Sequence, residues 1–392
     1  MWAYGITKKT KNKNFKNGTR IDKPSSGIEL FEVDVPLLLP GEVLIKTKAS
    51  CLNFNTIWSS LAYPADPFSL ISGHVSRNPR DIDHNKDYAI FGSDVSGIIT
   101  EVAADVTHWQ VGDEVVVHCN VVDSCDPIVE SDGMHSKTQS IWGYETNYGA
   151  FAEFTKVKQT QLLPKPNRLN WEQSASLMLT LSTSYRMLVS PNGAQIHAGE
   201  TVLIWGAAGG LGTYAIQLAK LSGATVVAIV SGNEKRKVCE GLGADFIIDR
   251  KSDGFGEFVD EGGNQNYINW NKAKKLLKKK GVADIDVVFE HVGRETLGFS
   301  LYIARKGGRI VTCAASSGFI ANIDIRYIWM ELKTLIGSHF ANYAEASAAL
   351  KLVAEGHINP VIDSISPISE LPSKMDSMYA GEVSGKVVFT HE

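Results

Sequence analysis

The stretch TVLIWGAAGGLGTYAIQLAK, residues 201–220, decides the fold that the sequence predicts. Its apolar, β-branched start is typical of a buried strand, and its second half has the spacing of a helix. Glycines between a strand and a helix permit a tight turn, so that a pyrophosphate can sit at the helix amino terminus. The stretch therefore predicts a dinucleotide site, with helix packing as the alternative use of the glycines. The candidate cofactor-binding residues in the turn are Gly206, Gly209, Gly210, Leu211 and Gly212.

The end of the next strand predicts which dinucleotide binds. Enzymes that use NAD commonly place an acid there to hold the ribose 2′-OH. In this chain that strand ends at Ser231 and is followed by Lys235 and Arg236, cations that suit a 2′-phosphate. We therefore predict NADP(H) rather than NAD. Glu234 is the discordant residue, because a ribose ligand at that position would reverse the preference, whereas a surface residue would not.

Strand and helix patterns alternate on the carboxyl side of this turn, which predicts an α/β fold with a parallel, doubly wound Rossmann sheet. Strand patterns in this part are found at residues 201–205, 225–230, 246–248, 287–290 and 308–312. On the amino side, strand patterns at residues 43–49, 95–102 and 113–118 predict an antiparallel, β-rich domain. A last strand pattern at residues 385–390 is expected to return to that domain. The expected domain limits are 1–167, 168–333 and 334–392.

Composition excludes several classes of function. The 392 residues are 44 % hydrophobic and 21 % charged, typical of a globular protein, and their number exceeds the roughly 250–300 residues of one core. A formal net charge of −4 gives no long-range attraction for nucleic acid or anionic lipid. The five cysteines form no CxxC pair, and no signal peptide or spanning segment is evident, so we expect a cytoplasmic protein without nucleic-acid or membrane partners.

Several segments of the chain resemble crotonyl-CoA carboxylase/reductases, a subfamily of the zinc-free medium-chain dehydrogenase/reductases. These segments are LNFNTIW (52–58), IWGYETNYG (141–149), LIWGAAGGLG (203–212), FEHVGRET (289–296), RYIWM (326–330) and IGSHFANY (336–343). The resemblance covers nearly the whole chain and implies a GroES-like catalytic domain, built from both ends of the chain, with a Rossmann domain between. It also implies that no metal takes part, because Gly92, Ser93 and Asp94 replace the GHE-like zinc motif and no Cys/His set accompanies them.

The same resemblance implies a catalytic pocket for CO2 made by Asn55, Tyr144, Glu145 and His339. CO2 is small and uncharged, so fixed donors from Asn55 and His339 are expected to hold it, with Glu145 organising both through water. Position 144 is typically Phe in the family, and the hydroxyl of Tyr144 would admit water. The alternatives are a turn cap for Asn55, an interdomain hydrogen bond for His339, an ion pair for Glu145 and core packing for Tyr144.

The resemblance implies further contacts with cofactor and substrate. Thr183 and His291 correspond to positions near the cofactor, although Leu181 replaces a family Asn beside Thr183. Residues Tyr302, Lys306 and Arg326 resemble positions that contact the CoA nucleotide across a subunit interface. Each of these three is otherwise a surface or packing residue. Members of the family form dimers or tetramers, so a homodimer or homotetramer is expected.

The function that the resemblance implies is reductive carboxylation. NADPH delivers hydride to the β-carbon of a 2-enoyl-CoA, or of a carrier-protein thioester, and the enolate captures CO2 to give a 2-alkylmalonyl thioester. The nearest alternative is an enoyl-thioester reductase in which a proton replaces CO2. A quinone oxidoreductase is a second alternative, and a non-catalytic NADPH-binding protein is a third.

Overall fold

The computed structural model describes residues 1–14, 21–282 and 284–391 of the chain. Its strands are β1 (Trp2–Thr7), β2 (Glu29–Glu32), β3 (Glu42–Leu52), β4 (Tyr88–Ile90), β5 (Val95–Val102), β6 (Glu114–Val117), β7 (Asn120–Val121), β8 (Ser140–Ile141), β9 (Phe154–Lys158), β10 (Leu162–Pro164), β11 (Thr201–Ile204), β12 (Thr225–Val230), β13 (Phe246–Asp249), β14 (Ile285–Glu290), β15 (Ala304–Thr312), β16 (Thr334–Gly337), β17 (Ile362–Pro367) and β18 (Lys386–Thr390).

The helices connect these strands. They are α1 (Lys8–Asn14), α2 (Phe54–Ser60), α3 (Pro67–Arg77), α4 (Val129–Asp132), α5 (Trp171–Ala175), α6 (Met178–Leu188), α7 (Gly210–Leu221), α8 (Asn233–Gly241), α9 (Tyr267–Lys279), α10 (Leu297–Ile303), α11 (Arg326–Trp329), α12 (Tyr343–Ala354) and α13 (Leu371–Tyr379). Among the helices of the described ranges, none combines the length and the apolar character needed to cross a membrane.

The backbone divides into two units. The first unit comprises Met1–Leu179, Asn342–Ala354 and Ile362–Glu392, and the second comprises Thr180–Ala341 and Glu355–Val361. The sequence-based limits, which fall after residues 167 and 333, remain a prediction of the domain boundaries. Helices α5 and α6 are separate elements, because Ser176 leaves the helical conformation at the end of α5.

The first unit is built on β-sheets, as the sequence predicts. Its largest sheet has the order β10-β6-β5-β3-β18-β17, and β9 also pairs with β3. The long strand β3 is antiparallel to β5, β9 and β18, so the last strand of the chain completes a sheet begun near its start. A smaller sheet has the order β2-β1-β4. The return of residues 385–390 to this sheet follows the prediction.

The second unit holds a six-stranded parallel sheet with the order β13-β12-β11-β14-β15-β16. The order reverses between β11 and β14, which places the carboxyl ends of these two strands at the switch point where ligands bind in such sheets. One side of the sheet packs on an aromatic core in which the Phe258 and Phe299 rings stack at 4.1 Å between centroids. Trp205 and Trp270 pack in the same core. The predicted α/β class is confirmed.

Residues 141–149 of the first unit, which include Tyr144 and Glu145, are fixed to the end of β4 by Asn147. This fully buried side chain accepts hydrogen bonds from the backbone of Ile90 (2.9 Å) and Tyr148 (2.8 Å). Its amide donates to the carbonyl oxygens of His84 (3.1 Å) and Tyr88 (2.8 Å). The Asn147 backbone N–H also donates to His84 Nδ1 (3.1 Å), which requires that nitrogen to be unprotonated. The segment therefore depends on a neutral His84.

We predict that this contact makes the protein less stable in mild acid. Burial lowers the pKa of His84 well below its usual value, and the charges of His74 and Lys156 lower it further. As pH falls below about 6.5, the unfolded chain binds a proton that the folded chain does not. The free energy of unfolding should then decrease by up to about 1.4 kcal/mol per pH unit.

Chemical unfolding at several pH values, followed by tryptophan fluorescence, measures this dependence. The control is His84→Gln, which can still accept a hydrogen bond but does not titrate. Its stability should depend less steeply on pH than that of the wild type. Equal slopes for the two proteins would contradict a role of His84 ionisation.

Candidate active site

The glycine-rich turn lies between β11 and α7, at the switch point of the parallel sheet. Gly206 has a left-handed backbone (φ +52°), and a Cβ at this position would lie 2.8 Å from the His291 ring. A Cβ at Gly212 would lie 2.5 Å from the backbone of Ala207. Glycine is therefore required at both positions, which brings the first turn of α7 against the end of β11. Gly209, Gly210 and Leu211 complete the turn and the start of α7.

His291 follows β14 and closes the other side of this turn. Its Nε2 lies 2.8 Å from the carbonyl oxygen of Trp205, so Nε2 carries the proton and donates it. Burial lowers the pKa of His291, and the nearby Glu290 charge opposes that shift. The imidazole is therefore a neutral group in a fixed orientation. The structure thus brings His291 next to Gly206 in the glycine-rich turn.

Glu290, which sequence reasoning missed, shapes the loop that carries His291. The buried carboxylate accepts hydrogen bonds from the backbone of Val292 (2.7 Å) and Gly293 (3.1 Å). It also accepts from Thr296 Oγ1 (2.9 Å) and Ser300 Oγ (2.6 Å). A buried charge is tolerable only when it is this well paired. The sequence did contain one indication of this role, because Glu290 is a lone acidic residue at the end of an apolar strand pattern.

The end of β12 carries the residues predicted to select the cofactor. Ser231 is half-buried, and the following turn receives an acid from the neighbouring strand β13. Asp249 Oδ1 accepts from Gly232 N (3.0 Å) and Lys251 N (3.0 Å), and Oδ2 accepts from Ser252 Oγ (2.9 Å). This buried carboxylate, which the sequence pattern did not reveal, is occupied with fixing the turn. Its role is local structure.

The charged residues near the end of β12 differ in exposure and in their ion-pair partners. Glu234 is exposed and pairs with Lys237 (2.9 Å), as expected of a surface residue. Arg236 pairs with Asp253 (3.3 Å), and Lys235 is half-buried at the start of α8. Arg250 was not singled out from the sequence, and its backbone N–H donates to the carbonyl oxygen of Val230 at the end of β12 (2.9 Å). Lys235, Arg236 and Arg250 thus lie within the segments that adjoin this strand end.

Thr183, the remaining cofactor candidate, is buried on α6. The next residue, Ser184, donates its hydroxyl to the carbonyl oxygen of Leu211 at the start of α7 (3.0 Å). This bond ties α6 to the helix that begins in the glycine-rich turn. The local packing therefore places Thr183 beside that turn.

The first unit contains Asn55 at the start of α2. Its Nδ2 donates to Ser93 Oγ (2.9 Å), and its Oδ1 is buried with no hydrogen-bond donor in reach among the residues that the structure describes. Asn53, not Asn55, occupies the N-cap of α2, and it makes no side-chain capping bond there. The turn-cap alternative for Asn55 is therefore not the observed arrangement.

Tyr144 and Glu145 lie in the segment fixed by Asn147. A Cβ at Gly143 would lie 1.8 Å from the Gly92 carbonyl oxygen, so the segment packs directly against the residue before Ser93. Glu145 Oε2 accepts from the backbone N–H of Ile141 (2.8 Å) and closes its own turn. Burial raises the pKa of Tyr144 to about 12, so its phenol stays protonated at neutral pH. Asn55, Tyr144 and Glu145 are thus attached to one short stretch of the first unit.

The other candidate residues lie in the second unit. His339 is exposed at the end of β16 and precedes Phe340, whose backbone is left-handed (φ +46°). Tyr302 donates to Asn271 Oδ1 (2.8 Å), and its ring lies 5.6 Å from that of Tyr327. Arg326 forms an exposed ion pair with Asp324 (2.6 Å). Lys306 is exposed on β15.

The position of the GHE-like motif is occupied by an ion pair. Asp94 is fully buried, and its Oδ2 accepts from Asn53 Nδ2 (2.8 Å) and lies 3.2 Å from Lys386 Nζ. In residues 1–14, 21–282 and 284–391, no group of three or more His, Cys, Asp or Glu side chains is arranged to hold a metal ion. Here Asp94 serves to anchor the turn that contains Ser93.

We predict that Gly206→Ala weakens nucleotide binding by about tenfold or more. Alanine in a left-handed conformation costs roughly 1–2 kcal/mol, and its methyl group would also push His291 away from the turn. Titration of NADPH fluorescence measures the dissociation constant. Gly241→Ala is the matched control, because a Cβ there meets open space within a helix. Unchanged affinity in the Gly206 variant would contradict a nucleotide site at this turn.

Comparisons with known proteins agree with this architecture. The model of the alcohol dehydrogenase GroES-like domain matches residues 39–167, and that of the zinc-binding dehydrogenase family matches residues 210–355. A solved structure of the 2-octenoyl-CoA carboxylase reductase CinF, in complex with NADP and 2-octenoyl-CoA, is similar with a TM-score of 0.94 and 38 % identity. The match covers 99 % of this chain and 87 % of that one.

Two curated relatives are similar over most of their length. The crotonyl-CoA reductase of Streptomyces collinus is 44 % identical over 370 residues, which are 94 % of this chain and 83 % of the relative. The crotonyl-CoA carboxylase/reductase of Cereibacter sphaeroides is 39 % identical over 371 residues, 93 % of this chain and 83 % of the relative. The chain therefore belongs to the crotonyl-CoA carboxylase/reductase family of medium-chain dehydrogenase/reductases.

Proposed function

We propose that this chain catalyses the NADPH-dependent reductive carboxylation of a 2-enoyl-CoA, or of a carrier-protein thioester, to a 2-alkylmalonyl thioester. The observation that carries the proposal is the similarity over 93 % of the chain to a protein named crotonyl-CoA carboxylase/reductase. The solved relative that binds NADP and 2-octenoyl-CoA supports the same cofactor and substrate class.

The residues of the second unit suit a dinucleotide. The left-handed turn at Gly206 and the close approach at Gly212 form the tight turn before α7, and the N–H groups at a helix amino terminus suit a pyrophosphate. Ser231, Lys235 and Arg236, with Arg250 beside them, would hold the 2′-phosphate. Bound NADPH supplies the hydride that adds to the β-carbon of the enoyl thioester.

The residues assigned to CO2 would then decide what happens to the enolate. The α-carbon of the enolate would attack the carbon of CO2. One C–C bond forms, the thioester C=O is restored from the enolate, and the π electrons of one C=O bond of CO2 move to its oxygen, which gives a carboxylate. We assign Asn55 and His339 to the CO2 oxygens as hydrogen-bond donors, and Glu145 and Tyr144 to the surrounding wall. The competing outcome is protonation of the same carbon, which gives a reduced acyl thioester without a new carboxylate.

Substrate binding and assembly extend the proposal. Tyr302, Lys306 and Arg326 are assigned to the CoA nucleotide, whose phosphates need cationic partners. A homodimer or homotetramer would complete that site if the CoA crosses a subunit interface. We also propose a cytoplasmic location, as the sequence predicts.

The decisive experiment supplies crotonyl-CoA, NADPH and isotopically labelled bicarbonate to the protein, with carbonic anhydrase to keep CO2 in equilibrium. We expect consumption of NADPH and a labelled ethylmalonyl thioester, identified by mass. Butyryl-CoA without label would instead support the plain enoyl reductase. Oxidation of NADPH by a quinone but not by crotonyl-CoA would support a quinone oxidoreductase, and binding without turnover would support a non-catalytic protein.

We predict that Tyr144→Phe increases the fraction of product that is carboxylated. The phenol is protonated at neutral pH, so it can both anchor a water molecule and donate a proton near the enolate. Removal of the hydroxyl should raise the ratio of labelled to unlabelled product at limiting CO2, by roughly twofold to tenfold for the loss of one weak hydrogen bond. An unchanged ratio would show that Tyr144 serves only as packing.

A further inference from the structure

The Asn55 side chain has a partner for its nitrogen atom but not for its oxygen atom among the described residues. Ser93 is fully buried, and its Oγ lies 2.9 Å from Asn55 Nδ2, which donates to it. The Oδ1 atom of the same amide is buried and has no donor within the described part of the chain. In this arrangement the amide presents an acceptor that no described group satisfies, and a buried acceptor without a partner is unfavourable.

A half-turn of the Asn55 amide exchanges its oxygen and nitrogen and changes this balance. A serine hydroxyl can donate as well as accept, so Ser93 can donate to Oδ1 across the same short distance. The nitrogen then takes the buried position that lacks a partner. The amide would present two N–H donors there instead of an acceptor.

Ser93 and Asn55 are both next to residues that a buried network holds in place. The next residue, Asp94, accepts from Asn53 Nδ2 (2.8 Å) and from the backbone N–H of Leu179 (2.8 Å). Lys386 Nζ donates to Asn53 Oδ1 (2.6 Å) and to Asp94 Oδ2 (3.2 Å). Asn53 immediately precedes the helix that carries Asn55. The same buried network therefore fixes both partners of the Ser93–Asn55 hydrogen bond.

We propose that Ser93 is a positioning residue that donates to Asn55 Oδ1 and so directs Asn55 Nδ2 toward CO2. The inference rests on the proposed function, in which CO2 binds beside Asn55. The oxygens of CO2 can only accept hydrogen bonds, so an amide that presents its own oxygen cannot bind them. Ser93 thus acts on carboxylation through the orientation of Asn55 and does not touch CO2.

The test measures how the products divide at different CO2 concentrations. The ratio of carboxylated to protonated product reports what happens to the enolate and does not depend on how much active protein a preparation contains. For Ser93→Ala, we expect the CO2 concentration that gives equal amounts of the two products to rise about tenfold. Ser93→Cys retains a weak donor and should restore part of the difference.

Ser59→Ala is the matched control. Ser59 is buried on the same helix as Asn55, and its hydroxyl has no hydrogen-bond partner among the described residues. The substitution removes a buried hydroxyl of equal size without removing a hydrogen bond of the Asn55 amide. Its product ratio should equal that of the wild type.

Asn55→Asp tests the direction of the amide independently of whether the Ser93 variants fold. Aspartate can still accept from Ser93, but it has no N–H to offer to CO2. We expect the product ratio to fall at least as far as in Ser93→Ala.

Each outcome has a distinct meaning. A wild-type ratio in Ser93→Ala, or retained carboxylation in Asn55→Asp, would overturn the inference while leaving the proposed function intact. If the wild type forms only the protonated product at every CO2 concentration, the proposed function itself fails and the inference fails with it.

Discussion

The left-handed turn at Gly206, closed by the His291 side chain, is the constraint on which the nucleotide half of the site depends. The turn occurs where the strand order reverses, and Trp205 N donates to the carbonyl oxygen of Phe289 across the two central strands (3.2 Å). Trp205 Nε1 donates to Ser300 Oγ (2.8 Å), which itself donates to Glu290. The backbone of the turn, the His291 loop and the aromatic core are therefore one connected set of contacts. A side chain at position 206 would disturb all of them together.

The candidate site residues of the first unit lie beside a buried charge pair, Asp94 and Lys386. Taking Asp94 and Lys386 out of water is costly, and burial raises the pKa of Asp94. The pair is retained with additional hydrogen bonds from Asn53 and Leu179 that satisfy the remaining oxygen atoms. Since Lys386 lies on β18, the last strand of the chain is needed to balance a charge in the turn after β4. The return of the chain to the first unit thus contributes directly to the order of the candidate site.

Sequence patterns predicted the elements of this protein better than the connections between side chains. The strand β12 and its neighbour β11 were evident because apolar, β-branched runs end at glycine, which is a local signal. The roles of Glu290, Asn147 and Asp249 were missed because each depends on backbone groups that distant segments bring together. Asn147 illustrates the difficulty: nothing in the letters NYG shows that one amide will bond to residues 84, 88 and 90. The family resemblance identified Asn55 but not Ser93, whose hydroxyl shows its significance only through the unpartnered oxygen beside it.

In the proposed reaction, water is the molecule that CO2 must displace, and the two differ in one respect that the site can exploit. Water donates and accepts hydrogen bonds, whereas CO2 only accepts them. An unpartnered amide oxygen at Asn55 or a phenol at Tyr144 would give water a partner that CO2 cannot use equally well. A site that presents only N–H groups removes this advantage of water, because water and CO2 can both accept hydrogen bonds from an N–H group. Under the proposed function, the orientation of the Asn55 amide and the hydroxyl of Tyr144 would therefore act on the same competition between carboxylation and protonation.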